Sequence, residues 1–351
     1  MGARRISLAG SVAVLAIMIS AARLCAEEFL YVENTDSGDI SVISVAKLEV
    51  VSTIKIGLYP DDVTASSDGR IVYANRVQSM GHPFSKHAGE SGEVVAISTE
   101  NDEILWRAPV HGWAQHLTLS ADGKRLFVPL YDKMWIEVVD TDKHEVVDRI
   151  PAALGSHGTK LSPDGRRLYV GSMFMDVLLV IDLKTGRPVK RIAFKDAVRP
   201  FAFTRDEKLL YVQLSRLHGF QVVDLTTSKI IREVDLPALP EGTKLPEFFP
   251  FTYNHGLALS PDEKYLFAAG SAGNYVCVYT HPDLSLVKTI PVGKEPNWIV
   301  FSKDGKLAFV SNRVSDTVSA ISVDELREIK QIPVGKYCQR MKMVEVPSRR
   351  H

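Results

Sequence analysis

The sequence predicts an all-β protein, a seven-bladed propeller of four-stranded antiparallel blades whose ring is closed by strands from both ends of the chain. Three observations predict it. One short motif recurs six times at near-constant spacing, short apolar runs and turn signals follow each copy, and the two termini together supply the strands of one further blade.

The first 26 residues stand apart from this pattern. Arg4 and Arg5 precede an apolar run from Ile6 to Ser20, and Ala21-Ala22-Arg23-Leu24-Cys25-Ala26 leads into Glu27-Glu28. A positive start, a short apolar run and small residues at its end are the marks of a cleaved export signal. The run is shorter than the roughly 20 residues a membrane-spanning helix needs. The expected mature chain, 27–351, is therefore a single propeller domain in the periplasm or secreted, with no transmembrane anchor. Cleavage leaves 39 basic against 42 acidic side chains. That balance gives no bulk attraction to nucleic acid. Only Cys277 and Cys338 remain, with Cys277 mid-strand and Cys338 expected in a distant loop, which excludes a disulfide framework.

Next come Phe29-Leu-Tyr-Val32, Ile40-Ser-Val-Ile43 and Val50-Val-Ser-Thr-Ile54, which read as the last three strands of a blade. The repeated motif follows: ASSDGRIVYA from Ala65, LSADGKRLFV from Leu119, LSPDGRRLYV from Leu161, FTRDEKLLYV from Phe203, LSPDEKYLFA from Leu259 and FSKDGKLAFV from Phe301. Its central residues, Asp68, Asp122, Asp164, Asp206, Asp262 and Asp304, are 54, 42, 42, 56 and 42 residues apart. An Asp-Gly or Asp-Glu turn between two apolar runs is a hairpin signal. Stretches such as Val177–Asp182 and Pro188–Ile192 add a third and a fourth strand. Four strands in about 42 residues is the period of a propeller blade. The turn aspartates read as turn formers, because none has a second carboxylate at calcium-ligand spacing. At the C-terminus, Arg340–Val346 supplies the missing first strand of the N-terminal blade. Closure of this kind removes exposed sheet edges.

Tyr31-Val-Glu-Asn34 with Ile40–Ile43, Phe309-Val-Ser-Asn312 with Val318–Ile321, and the stretch 161–170 resemble the YVTN-type β-propeller repeat over essentially the whole mature chain. The resemblance implies an exported bacterial or archaeal seven-bladed propeller, similar in shape to the propeller subunits of quinoprotein amine dehydrogenases. It implies a fold and no particular function, since such a scaffold carries unrelated activities.

Candidate site residues come from differences between repeats. The position five before the Ser or Thr of each motif falls just before the innermost strand, at the channel mouth. The seven blades supply Asp61, Gln115, His157, Arg199, His255, Asn297 and Gln339, all polar. Two readings stay open. In the first, Arg199 holds a small anion, flanked by His157 or His255 as the proton-moving group, with Asp61, Gln115, His116, Asn297 and Gln339 as further ligand contacts. In the second, His157, His255 and His116 bind a divalent metal, which Arg199 between the two blades disfavours. Long insertions at 75–93 and 237–254 emerge on the same end. The second carries Phe248, Phe249, Phe251 and Tyr253, an apolar run suited to a lid or a protein-docking surface. Tyr131–Trp135, Met173–Met175, Arg216–His218, Arg313, Trp113 and Trp298 fall near the same mouth. His82 and His87 lie in the first insertion; His144 and His281 fall on outer connections and receive no role.

No GxSxG elbow, phosphate-binding loop, HExxH or CxxCH is present. The reading is an exported propeller that binds a small anion at its channel mouth. If it is an enzyme, the expected chemistry is His-mediated lyase, isomerase or lactone opening. The competing class is a noncatalytic scaffold that docks a protein, for instance a redox partner.

Overall fold

A computed structural model describes residues 26–349 except 58, 78–91, 240 and 244–251. The chain forms seven four-stranded antiparallel blades arranged as a ring. Among the described residues the only helix is a single 3₁₀ turn, Ser271–Gly273, and no helix is long and apolar enough to cross a membrane. The expected signal segment, His82, His87, Phe248, Phe249 and Phe251 lie outside the described residues.

The closing blade is assembled as expected. Strands β1 (Glu27–Asn34), β2 (Asp39–Ser44) and β3 (Glu49–Lys55) come from the N-terminus. β28 (Cys338–Val346) pairs with β1 through partners such as Phe29 with Val344 and Leu30 with Met343. Cys338 therefore opens a strand rather than lying in a loop; it is buried and free, as is Cys277.

The motif builds the same turn in six of the seven blades, all but the closing one. The Ser or Thr hydroxyl donates to the aspartate Oδ1, that oxygen accepts the backbone N–H two residues on, and the hydroxyl oxygen accepts the N–H that starts the second strand. In one copy these are Ser162 to Asp164 (2.5 Å), Arg166 N–H to Asp164 (3.0 Å) and Arg167 N–H to Ser162 (3.0 Å). Asp68, Asp122, Asp206, Asp262 and Asp304 make the same bonds, and each holds its carboxyl below the usual carboxylate range through them. All six are turn formers with their oxygens already engaged.

Alternation along each strand sends one face to the blade before and one to the blade after. Hydrophobic clusters accordingly run between neighbouring blades: Phe29, Tyr31 and Ile40 meet Val63, Val72 and Val95, and Tyr169, Leu178 and Val180 meet Phe201, Leu210 and Val212. Every blade also carries a bulge between its third and fourth strands, for example at Val180/Ile181 and Val222/Val223. Bulges of this kind increase strand twist.

A second set of bulges positions the site. In the innermost strands β4 (Pro60–Ala65), β12 (Ser156–Leu161), β16 (Val198–Phe203), β24 (Pro296–Phe301) and β28, pairing with the second strand skips one or two residues. The skipped residues include Asp61, His157, Arg199, Asn297 and Gln339. In the other two blades the innermost strands are cut short, β8 to Thr118–Leu119 and β20 to Leu257–Leu259, so Gln115 and His255 precede them. The uniformly polar sequence position is thus released from the ladder or placed just ahead of it.

Candidate functional site at the channel mouth

The ring positions do not stand in open water. Gln115, His157, Arg199, His255, Asn297 and Gln339 are buried, and Asp61 is nearly so. Burying this much polarity is tolerable only if the groups satisfy one another. Three of them, Asp61, His157 and Gln339, are satisfied by one group, Arg340, one residue beyond the expected ring position.

The Arg340 guanidinium is 3% exposed and takes partners from three blades besides its own neighbour in sequence. Its Nη2 lies 2.9 Å from His116 Nε2 and 3.1 Å from His157 Nε2, and its Nε lies 3.1 Å from His116 Nε2. Its Nη1 donates to Gln339 Oε1 at 2.8 Å and pairs with Asp61 Oδ1 at 3.1 Å. A guanidinium has only donors, so both imidazoles must offer lone pairs at Nε2 and carry their protons on Nδ1. The protein thereby sets two histidine tautomers with one side chain.

His255 is fixed from the other side. Its Nδ1 lies 3.0 Å from the Asn297 carbonyl oxygen, so Nδ1–H donates and Nε2 is left as the lone-pair nitrogen. Among the described residues Nε2 has no hydrogen-bond partner. The ring centroids of His116 and His157 are 4.3 Å apart, those of His157 and His255 6.0 Å, and Trp298 closes against His116 at 5.2 Å and His255 at 6.0 Å. Burial, then the charge of Arg340, holds all three imidazoles well below the usual histidine range, so they are neutral near pH 7.

The acidic side is shifted the opposite way. Burial raises Asp61, with Arg340 pulling it back. On β1, fully buried Glu33 accepts from Thr35 Oγ1 (2.7 Å) and from the Arg340 backbone N–H (3.2 Å); burial and then the charge of Asp61 hold it well above the usual carboxylate range. Gln339 Nε2 donates to the same Thr35 hydroxyl at 2.7 Å.

Three of the ring side chains end in a buried polar atom with no partner among the described residues: Asp61 Oδ2, His157 Nδ1 and Asn297 Oδ1. Native interiors rarely leave such atoms bare, and several at one channel mouth mark a place where a polar ligand or water completes the bonding. They offer two acceptors and one N–H donor.

The expected residues are divided by this geometry. Asp61, His116, His157 and Gln339 are joined through Arg340, and the His255–Asn297 pair meets them through ring contacts with His157 and Trp298. Gln115 is not joined; its Nε2 turns back to the Ala114 carbonyl at 3.2 Å. The charge of Arg199 reaches both His157 and His255, and its side chain is braced within the wall. Its Nε donates to Ser215 Oγ at 2.7 Å and its Nη1 meets Met173 Sδ at 3.3 Å, and burial lowers its pKa to about 9. The divalent-metal reading finds a poor donor set, because the Nε2 lone pairs of His116 and His157 already face a cation. Among the described residues no three His, Cys, Asp or Glu side chains are grouped to hold a metal. Arg340 and Glu33 belong to this cluster and were missed by the five-before rule.

Around the mouth, Tyr131, Met173, Ala197, Trp113 and Phe174 form an aromatic wall, with Trp113–Tyr131 at 5.6 Å and Tyr131–Phe174 at 4.8 Å. Arg313 is tied to Glu295 at 2.8 Å and lies over Tyr337. Arg216 pairs with Asp196, and His218 bonds the Pro237 carbonyl and Tyr275 hydroxyl. The ends of both insertions are at this face: Arg76 closes the second strand beside Pro60, and Asn254 Nδ2 donates to the Gly219 carbonyl at 2.8 Å. His144 stacks on Trp106 and His281 bonds the Glu263 carbonyl, both away from the site.

Residues 29–338 match a family described as lactonase, 7-bladed beta-propeller. No curated protein matches the sequence. Similar solved structures include a periplasmic gluconolactonase of Pseudomonas aeruginosa (18% identity, TM-score 0.70, covering 91% of this chain and 100% of that one). A putative 6-phosphogluconolactonase of Bacteroides fragilis gives 17% identity and a TM-score of 0.71, covering 91% and 98%. A chain of Kuenenia stuttgartiensis hydrazine synthase gives 16% and 0.70, covering 89% and 99%. At these identities the likeness establishes the fold alone.

Proposed function

The chain belongs to the seven-bladed β-propeller lactonase family, and on that premise we propose that it hydrolyses a small polar lactone at the mouth of its channel. The observation that carries the reading is the set of unpartnered buried atoms, Asp61 Oδ2, His157 Nδ1 and Asn297 Oδ1, grouped around a histidine whose Nε2 lone pair is unengaged.

In this reading His255 is the general base. Its Nδ1–H is anchored on the Asn297 carbonyl, so Nε2 takes a proton from water as the water oxygen attacks the lactone carbonyl carbon. The imidazolium that forms is steadied by that carbonyl. His157 Nδ1–H is the donor for the carbonyl oxygen as it gains negative charge. The ring C–O bond then breaks, and His255 returns its proton to the departing oxygen. The product is a hydroxy acid, which ionises near pH 7 and releases one proton. Arg340 acts through the imidazoles: it fixes their tautomers and keeps them neutral. Asp61 Oδ2 and Asn297 Oδ1 are the acceptors for ligand hydroxyls, which selects a hydroxylated lactone over an alkyl one.

We propose export as well. The pattern of residues 1–26 supports it, as does a fold shared with a periplasmic gluconolactonase.

The test is proton release in a pH-stat with a panel of five- and six-membered lactones, hydroxylated and alkyl. Saturable hydrolysis above the uncatalysed rate, favouring hydroxylated rings, is the expected result. A rate equal to background for the whole panel would overturn the assignment.

A further inference from the structure

Beyond the plug formed by Arg340, His116 and Trp298, the channel widens again toward the repeated turns. This lower chamber is a cavity of about 620 Å³ lined by all seven innermost strands, and His116 and Trp298 are part of its wall. Its size falls within the range of small-molecule sites. Two lysines line it, Lys160 on β12 and Lys342 on β28, three blades apart around the ring and so on facing walls. Both are half-buried, and among the described residues neither has a hydrogen bond or an ion pair.

An ammonium inside a protein channel without a counter-charge is an unusual expense, since desolvation disfavours its charged form. Burial, then the charge of Lys342, lowers Lys160 to about 8; burial lowers Lys342, and the charge of Asp62 pulls it back up. Asp62, the single carboxylate on the wall, offsets the two lysines only in part. Its Oδ2 is held by the Leu117 N–H at 2.8 Å, and burial raises its pKa to about 7. Two of the wall hydroxyls are already committed as donors, Thr159 Oγ1 to the His116 carbonyl and Thr118 to Thr159. The chamber therefore carries net positive charge held by two compact, flexible point charges. Lysine suits tetrahedral oxyanions in this form, with one oxygen to each ammonium.

We propose that the lower chamber is a second ligand site, separate from the mouth, which binds a phosphate-class dianion between Lys160 and Lys342. The ligand is free phosphate or the phosphomonoester of a small molecule whose body lies against Phe201, Leu119 and Met341.

The test is titration calorimetry on the full chain with inorganic phosphate, glycerol 3-phosphate and malonate. Saturable phosphate binding is expected, weakened roughly tenfold or more in Lys160→Met and in Lys342→Met and restored in Lys160→Arg. It should be unchanged within about twofold in His255→Asn, which alters only the mouth. Tighter binding of glycerol 3-phosphate identifies a phosphomonoester; equal binding identifies phosphate itself. Both lysine variants must melt cooperatively like the wild type. Wild-type phosphate affinity in either of them would overturn the proposal. So would loss of binding in His255→Asn, or a preference for malonate over both phosphates.

Discussion

Replacing Arg340 by Met should be the most damaging single change at the mouth. The substitution keeps an unbranched side chain of similar length and deletes the cation. Asp61 then loses its ion pair at 3.1 Å and, with Oδ2 already bare, has no partner for either oxygen; His116, His157 and Gln339 lose their donors. Removing one member of a buried pair costs about 3–5 kcal/mol. Asp61 has an escape, which is to bind a proton, and this fixes the sign of the pH dependence. Arg340 is the only charge pulling its pKa down, so the variant's folded state holds that proton more tightly than the unfolded chain does. A carboxyl raised in the folded state loses stability as pH rises from its unfolded pKa toward its folded one. The deficit of Arg340→Met should therefore be larger at pH 8 than at pH 5. Thermal melts at both values measure it; at pH 8 a drop of roughly 6–12 °C corresponds to about 3 kcal/mol. Asp61→Asn added to Arg340→Met should recover about 2 kcal/mol, because the orphaned charge is gone. A melting point within about 2 °C of wild type at pH 8, or no recovery in the double variant, would refute the hub role.

Three further outcomes are expected. Asn75 bridges two blades, accepting from the Asp62 N–H at 2.8 Å and donating to the Gln115 carbonyl at 2.6 Å. Asn75→Ala should lower stability by about 2–4 kcal/mol, read as a shifted urea midpoint at constant m-value. Asp62 in the lower chamber titrates near 7 when folded, well above its unfolded value, so ionising it costs stability as pH rises between the two. Asp62→Asn should gain on wild type by about 2–3 kcal/mol from pH 5 to pH 7, at about 1.4 kcal/mol per pH unit. At Gly155, φ is +75° and a Cβ would sit 2.6 Å from Phe174 Cδ2. Gly155→Ala should cost about 1–2 kcal/mol from the left-handed backbone and shift the aromatic wall, visible as altered Trp113 fluorescence.

The fold was legible because its determinants are local and repeated. Each Ser-x-Asp turn closes on its own backbone, so the motif that marks it in sequence is also the set of atoms that makes it. Closure by β28 was legible by counting strands, although its first residue was not: Cys338 lies in a bulged stretch with no alternation to mark it. The site was legible in part. One position per blade was recognised as polar, and bulges do release it from the ladder. Arg340 was missed because the rule took one residue per blade, while the bulge in β28 frees two. The residues one beyond the ring are Asp62, His116, Gly158, Pro200, Gly256, Trp298 and Arg340, and that mixture of charge, aromatic and glycine was a usable signal. The bracing of Arg199 was not legible because its neighbours in sequence do not reveal Ser215 and Met173, which reach it from the adjoining strands and loops. No sequence spacing shows that these ring positions converge on one buried guanidinium.

The most direct test of the central claim is kcat/KM for a hydroxylated lactone in His255→Asn, set beside Lys160→Met as a control in the lower chamber. Loss of the general base should lower kcat by about 10²-fold or more with little change in KM, while Lys160→Met stays within about twofold of wild type. Undiminished hydrolysis in His255→Asn would contradict the assignment of the mouth as the lactone-opening site.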